Sequence, residues 1–331
     1  MNSRICILTE SGDGIGYGHL TRMTALASQL SQSGAEVVLR VDHHGSGKLP
    51  QSQTWQIHDW RRHPDVADGM DVVVVDSYLA SAADYLTLQQ RGAKVVAIDD
   101  YNRLDYPVQA IVNPNPAFDA CNASPPHASA SPQTTSQTIG GSQWVLLRSE
   151  ITNTPQKLTH SPQVQRVVVT LGGSDVHGVL PSLLDCLSDR APSMTVIAGN
   201  DEYAGEIRAS HGGGNIQVHG VLNAAEMAAA LADCDVAVSA CGQTLHELAF
   251  LGVPFVGIRV GDDQIPNQNH YLQCGLLGSK IDCQQNDWRE HVVQELEALS
   301  SQSLRHSRSE LGRSIIDGRG PERLSQLIRS L

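Results

Sequence analysis

The sequence predicts an α/β protein of two doubly wound, Rossmann-like domains facing each other across a cleft. Three observations lead there. Apolar strands alternate with amphipathic helical stretches along both halves of the 331 residues. The strands read as continuous apolar runs, as in Val72-Val-Val-Val75, which is how buried strands of a parallel sheet read. Each half opens with a strand that runs into a glycine-rich turn and then a helix, and Asn153 to Pro162 reads as the linker between them. Domains of 1–158 and 159–331 follow, with ligands expected at the C-terminal strand ends.

The first unit organises the rest. Arg4-Ile-Cys-Ile-Leu-Thr-Glu10 reads as a strand, and Gly12, Gly14, Gly16 and Gly18 as a turn. Leu20, Met23, Ala27 and Leu30 lie on one face of a following helix, which Gly34 ends. Backbone N–H groups of such a turn can converge on an anion at the helix start. His19 stands where loop becomes helix, the place of a candidate general base. Three readings fit these residues. One is a structural turn with a surface histidine. A second is a dinucleotide turn, with Asp42 as the ribose acid, although its G-x-G-x-x-G register fails at His19. The third is a catalytic turn of a sugar-nucleotide enzyme.

Glu36 to Val41 is the next strand, and the loop His43 to Lys48 resembles part of a phosphate loop, but Leu49 follows Gly47-Lys48, so it reads as a plain loop. Asp71 to Asp76 is a buried strand that delivers Asp76, Ser77 and Tyr78 to its C-terminal edge. A helix over 81–91 follows, then the strand Lys94 to Ile98 ending in Asp99-Asp100, and a short strand ending in Asn113-Pro-Asn115. Residues 119–142, rich in Ser, Thr, Pro, Ala and Gln, read as a mobile surface insertion. Trp144 to Glu150 resumes ordered structure. In the second half, Arg166 to Thr170 is a strand leading into Leu171-Gly-Gly-Ser174-Asp175 and a helix, a second candidate anion cradle. Strands at 194–198, 216–218, 236–239 and 252–258 follow, with Gly242-Gln243-Thr244-Leu-His246-Glu247 opening another helix and Asn267-Gln268 near the last edge. An amphipathic tail closes the chain after Asp317-Gly-Arg-Gly320.

Composition narrows the function. Lys and Arg number 23 against 35 acids, a net charge of −12, which argues against a nucleic-acid partner. No apolar run approaches the ~20 residues of a membrane span, so no membrane insertion is expected. The N-terminus lacks the basic and apolar regions of a signal peptide. Seven scattered cysteines without C-x-x-C fit a reducing cytoplasm. His246-Glu247 lacks the second histidine of a zinc-protease helix, fourteen histidines show no metal-ligand spacing, and Asp233-Cys-Asp235 reads as a structural connection. Neither metal nor cofactor is expected.

The motifs Gly16-Tyr-Gly18-His19-Leu-Thr-Arg22, Val75-Asp76-Ser77-Tyr78, Ile98-Asp99-Asp100 and Trp144-Val-Leu-Leu-Arg148-Ser-Glu150 occur in this order. Leu171-Gly-Gly-Ser-Asp175, Gly242-Gln-Thr-Leu-His-Glu247, Asn267-Gln268 and Asp317-Gly-Arg-Gly320 follow. Together they resemble the UDP-sugar hydrolases of the pseudaminic acid pathway and their spore-coat polysaccharide relatives, which belong to the GT-B superfamily. The resemblance covers nearly the whole chain. It implies hydrolysis of a UDP-linked 2,4-diacetamido-2,4,6-trideoxyhexose to free sugar and UDP by water attack at the anomeric carbon; the order of the residues, His19 in the first half and the nucleotide contacts in the second, adds the expectation of inversion. The resemblance further implies His19 as the base, Asp76 and Tyr78 at the sugar, and Gly16, Gly18 and Arg22 beside them. Gly172, Gly173, Ser174, Gln243 and Thr244 are implied at the diphosphate, Glu247 at the ribose hydroxyls, and Asn267 and Gln268 as the family's paired amides. The implied partner is a UDP-sugar, bound by a monomer or weak homo-oligomer. Ser77 departs from the histidine that many of these hydrolases carry there. A glycosyltransferase on the same scaffold and a non-catalytic nucleotide-sugar-binding protein are the alternatives.

Overall fold

The computed structural model describes residues 3–331 except 13–14, 45–53, 102, 119–136, 173–174 and 176, and the side chain of 137. The glycine-lysine loop and most of the 119–142 insertion therefore lie outside the described residues. The chain divides into two units, Met1–Arg148 with Gly318–Leu331, and Ser149–Asp317.

The first unit holds a seven-stranded, all-parallel sheet. Its strands are β1 (Arg4–Gly12), β2 (Glu36–His44), β3 (Trp55–Ile57), β4 (Val72–Asp76), β5 (Lys94–Ile98), β6 (Ala110–Asn113) and β7 (Gln137–Gly140), in the order β3-β2-β1-β4-β5-β6-β7. The order reverses between β1 and β4, which makes that junction the ligand-binding switch point of a doubly wound sheet. Helices α1 (Gly18–Gln32) and α2 (Ala82–Gln90) connect these strands. β7 corrects the reading of 119–142 as one surface insertion, because Gln137–Gly140 pairs with β6 as the sheet's edge strand. The preceding polar composition masked a four-residue strand that depends on its neighbour for pairing.

Strand periodicity sorts the side chains between the two faces. Ile5 and Ile7 of β1, Val72 and Val74 of β4, and Val96 and Ile98 of β5 pack with Met23, Leu26 and Leu30 of α1. Cys6 and Leu8, Val73 and Val75, and Val95 and Ala97 pack on the other face with Tyr85 and Leu88 of α2. This alternation decides where the polar groups at the strand ends go.

The second unit holds a six-stranded parallel sheet of β8 (Arg166–Thr170), β9 (Ser193–Ile197), β10 (Ile216–His219), β11 (Val236–Ala240), β12 (Phe255–Arg259) and β13 (Ile281–Asp282), ordered β10-β9-β8-β11-β12-β13. Its switch point lies between β8 and β11. The helices are α3 (Ser149–Thr152), α4 (Val179–Leu187), α5 (Asp201–His211), α6 (Ala224–Asp233), α7 (Gln243–Leu251), α8 (Ile265–Gln273), α9 (Trp288–Ala298) and α10 (Gln302–Ile315). The segment read as a linker packs onto this unit, where the Lys157 carbonyl accepts from Arg313 Nη1 at 2.6 Å and the Lys157 amide donates to Leu251 O at 2.7 Å. Asp235, just before β11, accepts the amides of Gln165 and Arg166 at 2.9 and 3.0 Å, and Asp233, the last residue of α6, pairs with Arg166 at 2.8 Å, so both acids of Asp233-Cys-Asp235 hold the start of β8.

The closing helix α11 (Gly320–Ser330) belongs to the first unit, with Leu324 and Ile328 in the α1 layer of its core. This differs from the domain limits read from the sequence, because an amphipathic tail does not say which sheet it covers. Gly320 has a packing role: a Cβ there would lie 2.0 Å from the Val145 carbonyl oxygen. Gly320→Ala is expected to destabilise the protein by roughly 1–3 kcal/mol, the usual cost of overpacking. Urea unfolding checks this, and wild-type stability would mean that the helix start is free to shift. Among the described residues no helix is long and apolar enough to cross a membrane.

Candidate functional site

The polar cluster of the first unit follows from the strand alternation. Asp76 continues the Val72–Val74 face of β4, and the Thr9–Asp76 pairing sets it beside β1 at the switch point. Asp100 continues the Val96–Ile98 face beyond β5. Both acids therefore meet α1, whose His19 and Arg22 sit at i and i+3 on the face that carries Met23.

His19, Arg22 and Asp76 are 3%, 8% and 0% exposed, so their polar groups must satisfy one another. Arg22 grips Asp76 with a fork, Nε to Oδ2 at 2.7 Å and Nη2 to Oδ1 at 2.6 Å, while its Nη1 donates to Asp100 Oδ2 at 2.7 Å. His19 Nδ1 lies 2.7 Å from Asp76 Oδ1. Burial opposes ionisation of Asp76, but Arg22 and His19 outweigh it and hold the carboxyl at about 2. An ionised Asp76 accepts only, so Nδ1 is the donor toward it and Nε2 is the ring nitrogen left for a further partner. None of the described hydrogen bonds uses Nε2.

Tyr78 completes the cluster. Its ring meets the His19 ring edge-on with centroids 4.2 Å apart, and its hydroxyl donates to Asp100 Oδ2 at 3.1 Å. Burial and the Asp100 charge push its phenol far up, so it stays a neutral donor. Tyr101 stands next along, with its ring 5.4 Å from that of Tyr78. Asp99 falls on the opposite face and accepts the amides of Tyr101 and Arg103 at 3.1 and 2.8 Å, which makes it a turn former. Ser77, the departure from the resembling family, is 2% exposed. Its hydroxyl donates to Glu10 and accepts the amides of Leu79 and Ala80 at 3.1 and 2.9 Å, so the turn consumes it. Asp42, the alternative ribose acid, is held by Arg61 and His44 at 2.8 and 3.1 Å.

The helix starts differ in how their amides are satisfied. The α2 N-terminus has a capping box of Ser81 and Asp84, and Asn200, Asn223 and Ser301 cap α5, α6 and α10. α1 begins after Tyr17 with no side-chain cap and no acid in its first turn. At Gly16, with φ +75°, and at Gly18 no described residue lies within 4 Å of where a Cβ would stand. α7 begins after Gly242, a residue without a capping side chain, and among the described residues nothing lies within 4 Å of where its Cβ would stand.

The second expected cradle works differently. Asp175 accepts the Val179 and Leu180 amides at 2.8 and 2.7 Å and the Tyr203 hydroxyl at 2.7 Å, so an internal carboxylate covers the start of α4. Gly172 turns the chain at φ +93°, whereas Gly173 and Ser174 lie outside the described residues. Gln243 and Thr244 form the first turn of α7 and are half-buried; Glu247 lies one turn on and is buried. Asn267 donates to Cys241 O at 3.1 Å, and Gln264 Oε1 accepts the Cys241 amide at 3.1 Å, so both brace the turn before α7. Gln268 is fully buried and donates to Ile281 O at 2.7 Å, which anchors the edge strand β13. Among the described residues no group of three or more His, Cys, Asp or Glu side chains could hold a metal ion.

Solved structures share this architecture over the whole chain. MurG from Acinetobacter baumannii superposes with a TM-score of 0.64 at 14% identity, over 99% of this chain and 100% of that one. The chain has the GT-B fold. LpCGTa, solved in complex with UDP, matches with a TM-score of 0.65 at 13% identity over 99% of both chains. MnaA from S. aureus, solved with UDP, matches with a TM-score of 0.65 at 13% identity over 98% of this chain and 95% of that one. No protein-family model and no curated protein sequence matches the chain. The strand patterns imply the two parallel Rossmann-like sheets, and the family resemblance implies their GT-B arrangement.

Sequence reasoning named His19, Arg22, Asp76 and Tyr78, and the structure brings these four together. Asp99 and Asp100 end the same strand in the sequence, and only Asp100 joins the cluster; Glu10 has no role in the sequence reading. The signal for Asp100 was available, since it keeps the phase of Val96 and Ile98.

Proposed function

We propose that this GT-B protein hydrolyses a UDP-linked amino-deoxy sugar of the 2,4-diacetamido-2,4,6-trideoxyhexose type, releasing UDP and the free sugar in cytoplasmic surface-polysaccharide synthesis. The observation that carries this reading is the His19–Asp76 pair. Asp76 fixes Nδ1 as the donor, and Nε2 is then oriented to take a proton from water as its oxygen attacks the anomeric carbon. The bond between that carbon and the diphosphate oxygen breaks, and UDP leaves as an anion. N–H dipoles suit such a leaving group, and the start of α7, with glycine at its N-cap, is where they would meet it. The UDP seen in complexes of LpCGTa and MnaA supports a nucleotide ligand.

A second reading has a specific basis: the same basic nitrogen would serve an acceptor hydroxyl in a glycosyltransferase. Incubation with a panel of UDP-sugars without acceptor separates the two. Multiple-turnover UDP release supports the hydrolase, whereas release that needs an added acceptor supports the transferase.

The nucleotide side rests on Glu247 as the ribose ligand. Charged hydrogen bonds to ribose hydroxyls contribute about 1.5–3 kcal/mol. Glu247→Ala is therefore expected to weaken UDP binding roughly 10- to 150-fold in a folded protein, measured by calorimetry. Unchanged affinity would move the nucleotide site away from α7.

A further inference from the structure

Glu10 stands where the strand alternation calls for an apolar side chain. It follows Cys6 and Leu8 on the β1 face that packs against α2, one residue beyond the Thr9–Asp76 pair, and it is 0% exposed. A buried carboxylate is costly unless its oxygens are fully used. Here they are used on a single turn. Glu10 accepts the Ser77 hydroxyl, the Tyr78 amide at 2.5 Å and the Leu79 amide at 3.4 Å. Arg103 closes the same turn from outside through the carbonyls of Ser77 and Ala80, at 3.1 and 2.7 Å. Tyr78 is thus fixed through its backbone by Glu10 and through its hydroxyl by Asp100, and its ring in turn abuts His19.

We propose that Glu10 is the positioning residue of the site: its carboxylate gathers the Ser77–Leu79 turn so that the Tyr78 ring holds the His19 imidazole in its productive orientation. The effect of Glu10 on turnover rests on the hydrolase reading, whereas its effect on His19 does not. A neutral amide of the same shape would place an NH₂ group against N–H donors and release the turn. The shape is kept and only the acceptor pattern is lost, which makes Glu10→Gln the informative variant.

The test joins kinetics to NMR on the full-length protein with ring-labelled histidine, the His19 signal being assigned by its loss in His19→Asn. Tyr78→Leu removes the neighbouring ring and defines the shift of the His19 carbon-bound protons when that ring is gone. Glu10→Gln is expected to move those signals toward the Tyr78→Leu position. It should also lower kcat by roughly 10²-fold, the usual cost of ångström-scale misplacement, with KM little changed. Glu10→Gln combined with Tyr78→Leu should be no slower than Tyr78→Leu alone, because both act through one ring. If Glu10→Gln does not fold, Ser77→Ala removes one of the same hydrogen bonds and should move His19 in the same direction by a smaller amount. His19 signals that stay in place in a folded Glu10 or Ser77 variant would overturn the proposal, as would additive kinetic losses. Absence of turnover in the wild-type protein would remove the hydrolase reading and leave the NMR result to decide the role of Glu10.

Discussion

Replacement of His19 by asparagine is expected to lower kcat for UDP release by roughly 10²–10⁴-fold, the range for a lost general base. UDP affinity should be nearly unchanged. The separation follows from where the contacts lie: His19 bonds Asp76 within the first unit, whereas the residues proposed for the nucleotide belong to α7 in the second. A loss in kcat and kcat/KM together, without a loss in UDP binding, marks an interaction made in the transition state. Asparagine keeps a donor toward Asp76, so the buried carboxylate retains a partner and the fold should survive. Equal losses in UDP binding and turnover would make His19 a ligand or a structural group, and the base assignment would fall.

The second large effect is on stability. Arg22→Met leaves the carboxylate of Asp76, 0% exposed, without its guanidinium, and Asp100 loses the same partner. Breaking a buried pair from one side costs about 3–5 kcal/mol, measurable by urea unfolding. Adding Asp76→Asn removes the uncompensated charge and should restore part of the loss. The pH dependence carries a sign. Folding lowers the Asp76 carboxyl from 3.8 to about 2, because Arg22 and His19 outweigh burial. The unfolded chain then binds more protons between these values. This contribution is complete above pH ~4 and disappears as the pH falls toward 2, so the deficit of Arg22→Met should shrink in acid. Wild-type stability at neutral pH would show that the ion pair is dispensable.

The sheet architecture was legible because buried parallel strands leave runs such as Val72–Val75, and each strand's end marks a ligand edge. His19 and Asp76 could be named from those ends alone. Their contact could not, since it depends on β1 and β4 being neighbours, which strand patterns do not state. Glu10 was hidden for a related reason: it looks like the last residue of a strand until β4 brings the Ser77–Leu79 turn onto it. Asp175 shows the converse. A glycine-rich turn before a helix reads as an open anion cradle, yet the Asp175 carboxylate covers the start of α4. The cue was present in the acid four residues before Val179. The return of α11 to the first unit depends on packing around Gly320, which an amphipathic pattern cannot convey.

Hydrolysis in ¹⁸O-water tests the central claim most directly. If His19 activates water against the anomeric carbon, the label enters the free sugar and UDP stays unlabelled by mass spectrometry. Label in the UDP phosphate would mean attack at phosphorus and would contradict this account.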